Sequence, residues 1–262
     1  MIADGKAIAE KIKRSLRARL LRLRKKPRLA LVAESPVPVT RKFIAAKEKF
    51  ADEIGVEVFG ARVKEIPALN RNPRVDGIVV QLPLPAAFDT DAVLASIAPK
   101  KDVDALSPQS RFMSPVVLAV RKILENYELR ITNYESAVVV GKGRLVGKPV
   151  AEWLRANGVE VRVIGKGEKI PKADLVVLGA GSPALLKPDM VKRGAVVIDA
   201  GSSESAGKTV GDADPRVAGK CALFTPVPGG VGPVAVAMLF RNLICKSPSG
   251  CPHFVSLRRH GI

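Results

Sequence analysis

The stretch S-A-V-V-V-G-K-G-R-L-V-G-K-P, residues 136–149, decides the fold. Ala137 and three valines follow Ser136, the composition of a strand buried on both faces of a parallel sheet. Gly141, Gly143 and Gly147 come within the next seven positions, where a loop turns tightly and lets bare backbone approach a ligand. Pro149 suits the first turn of a helix, and Asn157-Gly158 supplies its stop. Strand, glycine loop and helix in that order bring a pyrophosphate to a helix N-terminus, as dinucleotide-binding folds do. The spacing G-x-G-x-x-x-G is a variant of the usual fingerprint, and alone it is a weak signal.

Downstream of it, Glu160–Ile164, Leu175–Gly179, Ala195–Asp199 and Leu223–Thr225 read as further strands, so strands and helices are expected to alternate up to Thr225. The turns G-A-G-S (179–182) and D-A-G-S (199–202) put Gly181 and Gly201 at strand ends. After Ile164 stands G-K-G-E-K, in which Lys166 and Lys169 offer positive charge. No acidic residue ends that strand to take a free ribose 2′-hydroxyl. Upstream, Leu29–Ala33, Val56–Phe59 and Val75–Gln81 read as strands, the last placing Gln81 at a carboxyl end, where open α/β sheets bind ligands. A helix is expected from Thr40 to Ile54, stopped by Gly55, and another from Val116 to Asn126. T-P-V-P-G-G-V-G-P, residues 225–233, is too rich in Gly and Pro for a helix or an inner strand. It forms a shaped loop before a helix over Val234–Asn242, and Gly229, Gly230 and Gly232 present backbone N–H groups to a ligand.

At 262 residues and 47% hydrophobic composition the chain suits two globular domains, and no segment repeats at a fixed period. No apolar run reaches the length of a membrane span and M-I-A-D-G-K-A has no apolar signal core, so a cytoplasmic protein is expected. The three cysteines lack metal-ligand spacing and both histidines lie in the last ten residues, which excludes a histidine-based centre in the body of the chain and implies no metal. Cys245 and Cys251 could pair with each other at the C-terminus, but free thiols are expected in a reducing compartment. The net charge of +18 invites a nucleic-acid reading, yet residues 1–28 hold eleven Lys and Arg against two acids. There Ile8, Ile12, Leu16, Leu20 and Leu23 follow helical spacing, so the basic run reads as the solvated face of an amphipathic helix.

Several strings resemble the bifunctional methylenetetrahydrofolate dehydrogenase/cyclohydrolase (FolD) family. P-V-P-G-G-V-G-P before a helix is similar to its C-terminal signature, I-A-D-G-K-A-I-A (2–9) to its N-terminal pattern, and D-G-I-V-V-Q-L-P-L-P (76–85) to a nearly literal segment. The loop at 138–149 resembles V-V-V-G-R-S-x-x-V-G-x-P, with Lys142 for the arginine and Gly143 for a serine. T-R-K-F-I-A-A-K-E-K-F-A (40–51) stands where the family carries S-x-x-Y-x-x-x-K-x-K-x-A, so Lys47 matches the catalytic lysine while Phe43 replaces the tyrosine. K-D-V-D-A (101–105) stands for K-D-V-D-G, which makes Asp104 the aspartate that holds the pterin, Asp102 the second choice, and Ala105 a departure. Ser114 to Ala119 keeps little of P-C-T-P-x-G.

The resemblance covers residues 1 to about 242 and implies two α/β domains with a cleft between them. A folate domain would span 1–112, completed by the C-terminal helix 233–245; a Rossmann-like dinucleotide domain 113–232; and a mobile tail 246–262. It implies Lys47, Gln81 and Asp104 as catalytic residues and Phe43, Asp102, Pro228, Gly229 and Gly230 as folate contacts. Gly141, Lys142, Gly143, Arg144, Val146, Gly147, Lys166, Gly181 and Gly201 would bind the cofactor, with NADP favoured over NAD. The implied partners are tetrahydrofolate derivatives and a second copy in a homodimer, with no membrane and no specific nucleic acid. The implied activity is oxidation of 5,10-methylenetetrahydrofolate and hydrolysis to 10-formyltetrahydrofolate, one-carbon chemistry that serves purine biosynthesis. A shikimate-dehydrogenase-like enzyme shares the two-domain plan but leaves P-V-P-G-G-V-G-P and Q-L-P-L-P unexplained. A nucleic-acid-binding protein would want aromatics in a basic groove, and the chain has eleven aromatics in all.

Overall fold

The computed structural model describes residues 1–35, 38–205 and 207–245. In chain order its elements are α1 (Gly5–Leu20), β1 (Arg28–Val32), α2 (Pro38–Ile54), β2 (Glu57–Ala61), α3 (Ile66–Arg71), β3 (Gly77–Val80), α4 (Thr90–Ala95) and α5 (Pro115–Asn126). There follow β4 (Ser136–Val140), α6 (Gly147–Ala156), β5 (Glu160–Ile164), β6 (Leu175–Leu178), β7 (Val196–Asp199), β8 (Ser203–Ser205), β9 (Lys208–Val210), β10 (Leu223–Phe224) and α7 (Val231–Cys245). They form two compact units, and each takes one end of the chain: Met1–Lys13 with Ser114–Met238, and Arg14–Met113 with the residues from Leu239.

The second unit holds a parallel sheet in the order β2-β1-β3. All four residues of β3 are buried, and Ala30, Val32, Ile78 and Val80 pack with Ile66, Leu69, Leu94 and Ile97. That burial on both faces is why the strand reads as a continuous apolar run. A side chain at Gly77 would lie 2.7 Å from Leu243 Cδ1, so the last turns of α7 pack directly on β3. Asn242 fastens them by donating to Val103 O at 2.9 Å and Met113 O at 3.0 Å, and Phe240 stacks on Phe50 with ring centroids 5.1 Å apart. Each of those buried rings contributes about 2–3 kcal/mol of transfer free energy.

The first unit holds a five-stranded parallel sheet in the order β10-β7-β6-β4-β5. Its edge is extended by the N-terminus: Ala3 N donates to Phe224 O at 2.8 Å and Phe224 N to Met1 O at 2.9 Å. A single α-helix among the described residues, α6, serves the crossovers. Among the described residues the connections from β5 to β10 carry short 3₁₀ turns (Pro188–Met190, Pro215–Gly219) and the antiparallel pair β8–β9, not the alternating helices expected. Proline and glycine punctuate these connections too often for a helix to propagate.

Smaller differences have equally local causes. Six-residue α3 and α4 show too few turns for periodicity to be visible, although Asp89 caps α4 by accepting from Asp91 N and Ala92 N. α7 begins at Val231, ahead of the expected Val234, because Pro233 falls in its first turn, where its missing N–H costs no bond. α1 buries Ile8, Ile12, Leu16 and Leu20 and exposes Lys11, Arg14 and Arg17, so the basic run is a solvated face; Leu23 lies beyond the helix. Cys221 is a free thiol, whereas Cys245 is disulfide-bonded, against the expectation of free thiols; bonding depends on two sulfurs meeting in space, which spacing along a chain does not report. Cys251 and the 246–262 tail lie outside the described residues. Among those described, no helix is long and apolar enough to cross a membrane.

Candidate active site

Lys47 lies on α2, with Phe43 one turn earlier on the same side. Its Nζ donates to Gln81 Oε1 at 2.9 Å. Gln81 is only 8% exposed, just past the carboxyl end of β3, where its own N–H continues the ladder onto Val32 O at 2.8 Å. Its amide nitrogen donates to Leu82 O at 3.1 Å, which leaves the oxygen turned to the lysine. Burial lowers the pKa of Lys47, and the charge of Asp104 opposes that fall. Burial likewise raises the Asp104 carboxyl to about 6, against the pull of Lys47 and with a push from Asp102. Lysine, amide and carboxyl are thus electrostatically coupled in a half-buried site in which both titratable groups are drawn towards neutrality. Phe43 is 42% exposed, an apolar ring offered to solvent beside the lysine.

Asp102 is a correction. It is 1% exposed and its carboxylate accepts from Leu106 N at 3.2 Å and Ser107 N at 2.7 Å, so it staples the loop and is not available to a folate. Ala105 sits in the same loop at φ 56°, the left-handed conformation that a glycine would hold without cost.

At the carboxyl ends of the large sheet, the glycine loop is shaped by close packing. Gly141 has φ 105° and a side chain there would lie 2.4 Å from Gly179 O; one at Gly147 would lie 1.9 Å from Gly141 O. A side chain at Gly143, by contrast, would meet nothing closer than Gly179 O at 4.0 Å, and Lys142 and Arg144 beside it are exposed. Val146 precedes α6, whose N-terminus has no side-chain cap. An open glycine loop running into the uncapped end of a ten-residue helix fits a dinucleotide pyrophosphate.

Gly181 and Gly201 have an internal duty. Asp212, fully buried, accepts from Ala180 N (2.6 Å), Gly181 N (3.1 Å) and Ser182 N (2.7 Å), and a side chain at Gly201 would lie 2.2 Å from its carboxyl carbon. Asp199 at the end of β7 accepts from Gly201 N at 3.0 Å and Ala213 N at 2.8 Å, and burial raises its pKa to about 6. No motif in the sequence marked Asp212, the first of two acids in G-D-A-D-P (211–215). Gly230 is also explained by packing: its own side chain would strike Pro226 O and Thr225, and one at Gly5 would lie 1.8 Å from Gly230 O. Gly229 takes φ 104°, and the Val227–Pro228 peptide before it is cis.

β5 itself ends on Ile164 without an acid, but the loop after it brings one back to the strand end. Gly167, at φ 80°, reverses the chain, so that Glu168 Oε1 accepts from Gly165 N at 2.9 Å and meets Lys142 Nζ at 3.1 Å. Lys166 is exposed two residues earlier. Among the described residues no three His, Cys, Asp or Glu side chains converge as a metal would need.

Two family models match the chain in succession. Residues 3–104 match the family tetrahydrofolate dehydrogenase/cyclohydrolase, catalytic domain, and residues 114–249 match tetrahydrofolate dehydrogenase/cyclohydrolase, NAD(P)-binding domain. The bifunctional protein FolD of Campylobacter concisus is 39% identical, over 93% of this chain and 96% of that protein. A crystal structure of the bifunctional FolD dehydrogenase/cyclohydrolase from Campylobacter jejuni superimposes with a TM-score of 0.88 at 34% identity, covering 94% of this chain and 98% of that one. The Trypanosoma brucei FolD, complexed with NADP cofactor and inhibitor, gives 0.87 at 30% identity over 93% and 96% of the two chains. With both halves matched in order and across nearly the whole length, the chain belongs to the tetrahydrofolate dehydrogenase/cyclohydrolase family.

Proposed function

We propose that Lys47, Gln81 and Asp104 carry the hydrolytic half of this enzyme's work, and that the loop Gly141–Gly147 with Lys142, Arg144 and Lys166 binds its NADP. The enzyme is a methylenetetrahydrofolate dehydrogenase and methenyltetrahydrofolate cyclohydrolase. NADP supplies the hydride acceptor when bound. In the oxidation the folate's own nitrogen lone pair expels the hydride, so the protein's task is to position the reacting rings and exclude water. Phe43 offers an aromatic face for that purpose and Asp104 a carboxyl for the pterin's amino and ring N–H groups. In the hydrolysis, water adds to the methenyl carbon and its proton must leave as the C–O bond forms. A lysine whose pKa is lowered by burial has a neutral fraction able to take that proton, and Gln81 Oε1 holds one of its N–H bonds so that the lone pair is directed.

The observation that carries this reading is the 2.9 Å bond between Lys47 and Gln81 in a desolvated setting. The glycine loop, open at Gly143, supports the cofactor assignment. By the same reading the protein works in the cytoplasm as a homodimer and passes 10-formyltetrahydrofolate to purine biosynthesis. The decisive assay follows oxidation of methylenetetrahydrofolate with NADP and with NAD, and hydrolysis of methenyltetrahydrofolate, by absorbance in wild type and Lys47→Ala. Loss of hydrolysis with oxidation retained supports the division of labour. Normal hydrolysis in Lys47→Ala would sink it.

A further inference from the structure

β4 and β5 are adjacent parallel strands in register, Val140 opposite Ile164, so the loops leaving their carboxyl ends lie side by side. One loop carries Lys142 and the other Glu168. Parallel dinucleotide folds use these two ends differently: the glycine loop takes the pyrophosphate, and the end of the next strand takes the adenosine ribose. There a carboxylate about twenty residues beyond the loop accepts from a free ribose 2′-hydroxyl, whereas cationic side chains accommodate a 2′-phosphate. This chain holds both solutions in contact, Lys142 Nζ 3.1 Å from Glu168 Oε1. Both side chains remain accessible, at 64% and 45% exposure, so either can turn to a ligand.

We propose that Glu168 is the specificity-determining residue of the nucleotide site: it accepts from the ribose 2′-hydroxyl of NAD, repels the 2′-phosphate of NADP, and keeps Lys142 from that phosphate until the pair opens. The proposal rests on the reading that Gly141–Gly147 binds a nicotinamide dinucleotide. A 2′-phosphate brings negative charge beside a carboxylate whose partners, Gly165 N and Lys142, hold it ionised. NADP must therefore draw Lys142 off Glu168, while NAD can leave the pair intact. The result is an enzyme that binds NADP less selectively than Lys142, Arg144 and Lys166 alone would make it.

Glu168→Gln tests this with little risk to the loop, because the amide oxygen can still accept from Gly165 N. Calorimetric titration of wild type and Glu168→Gln with NADP and with NAD, at low salt and without folate, reads binding apart from turnover. The variant is expected to bind NADP about 5-fold more tightly, the scale of an exposed charge pair, and NAD about 3-fold more weakly. Adding Lys142→Met should remove most of the gain for NADP, since the freed ammonium is part of its source. A ratio of the two dissociation constants within about 2-fold of wild type, or a loss shared by both nucleotides, overturns the proposal. If wild type binds neither nucleotide, the cofactor reading itself fails and Glu168 has no preference to set. Binding to wild type without a shift in the variant removes only the role of Glu168.

Discussion

Lys47 and Lys142 make the same kind of bond in two different media. Each ammonium donates to a side-chain oxygen near a strand's carboxyl end, Gln81 Oε1 at 2.9 Å and Glu168 Oε1 at 3.1 Å. Around Lys47 the partner is a buried neutral amide, and desolvation pulls the lysine towards its uncharged form. Around Lys142 the partner is a carboxylate, and water reaches both side chains. The first arrangement suits proton transfer, which needs a group close to losing its charge. The second suits recognition of charge, which needs an ammonium that stays charged and can move. Substitutions at the first end should be large and insensitive to salt; at the second they should be small and screened.

The largest effect expected is at Lys47. Lys47→Ala should lower hydrolysis of methenyltetrahydrofolate about 1000-fold, within the range of lost acid–base catalysis, and leave oxidation of methylenetetrahydrofolate largely intact. Lys47→Arg sharpens the point, because a guanidinium keeps the charge but cannot give up its proton near neutral pH. An active arginine variant would show that positive charge, not proton transfer, is what the site requires.

Asp104 gives the next effect. Its carboxyl is raised to about 6 by burial, so between roughly pH 4 and 6 the folded protein holds a proton that the unfolded chain releases. The stability it contributes is full at the acid end and falls as pH rises through 6. Relative to Asp104→Asn, which cannot titrate, wild type should lose about 2 kcal/mol between pH 4 and pH 7 in urea unfolding. A difference independent of pH would mean that Asp104 is as well solvated as the exposed acids, and the contrast between the two ends would weaken.

How much of this was legible in the sequence follows from where each signal lives. Lys47 and Gln81 are 34 positions apart, yet each sits in a contiguous string that resembles the family's, one on a helix with its stop at Gly55 and one at the end of an apolar strand. The glycine loop, weak by its spacing alone, was legible beside the family pattern because strand, glycines and helix are contiguous. Glu168 and Asp212 were not, since their meaning comes from loops that meet in space. Glu168 gains its role when Gly167 folds the chain back, and Asp212 when it receives three N–H groups some 30 residues upstream. Asp102 and Asp104 look alike in K-D-V-D-A, and burial and backbone partners alone divide them into a staple and a titrating carboxyl.

Phe43 lies on the boundary of the buried end and should give a middling effect. A tyrosine there keeps the exposed ring and adds a hydroxyl one helical turn from Lys47, within reach of the ammonium or a water it holds. Phe43→Tyr should raise cyclohydrolase turnover about 10-fold with little change in the oxidation. An unchanged hydrolysis rate would show that the proton network does not extend along this face of α2.

The smallest effect should be at Lys166, and it is the sharpest test of the exposed end. Taken as a full charge-assisted contact to a 2′-phosphate, its loss would cost roughly 1–2 kcal/mol on NADP alone. The structure lowers that expectation: Lys166 is exposed, and Glu168, two residues on, competes for any cation nearby. Lys166→Ala should then weaken NADP about 2- to 3-fold at low salt, leave NAD unchanged, and become indistinguishable from wild type near 0.5 M salt, where screening acts within a few ångströms. Equal losses for the two nucleotides would remove Lys166 from phosphate recognition. A loss for NADP that persists at high salt would mean that water is excluded around the bound phosphate, and that on binding the exposed end becomes at least as sheltered as the half-buried site around Lys47.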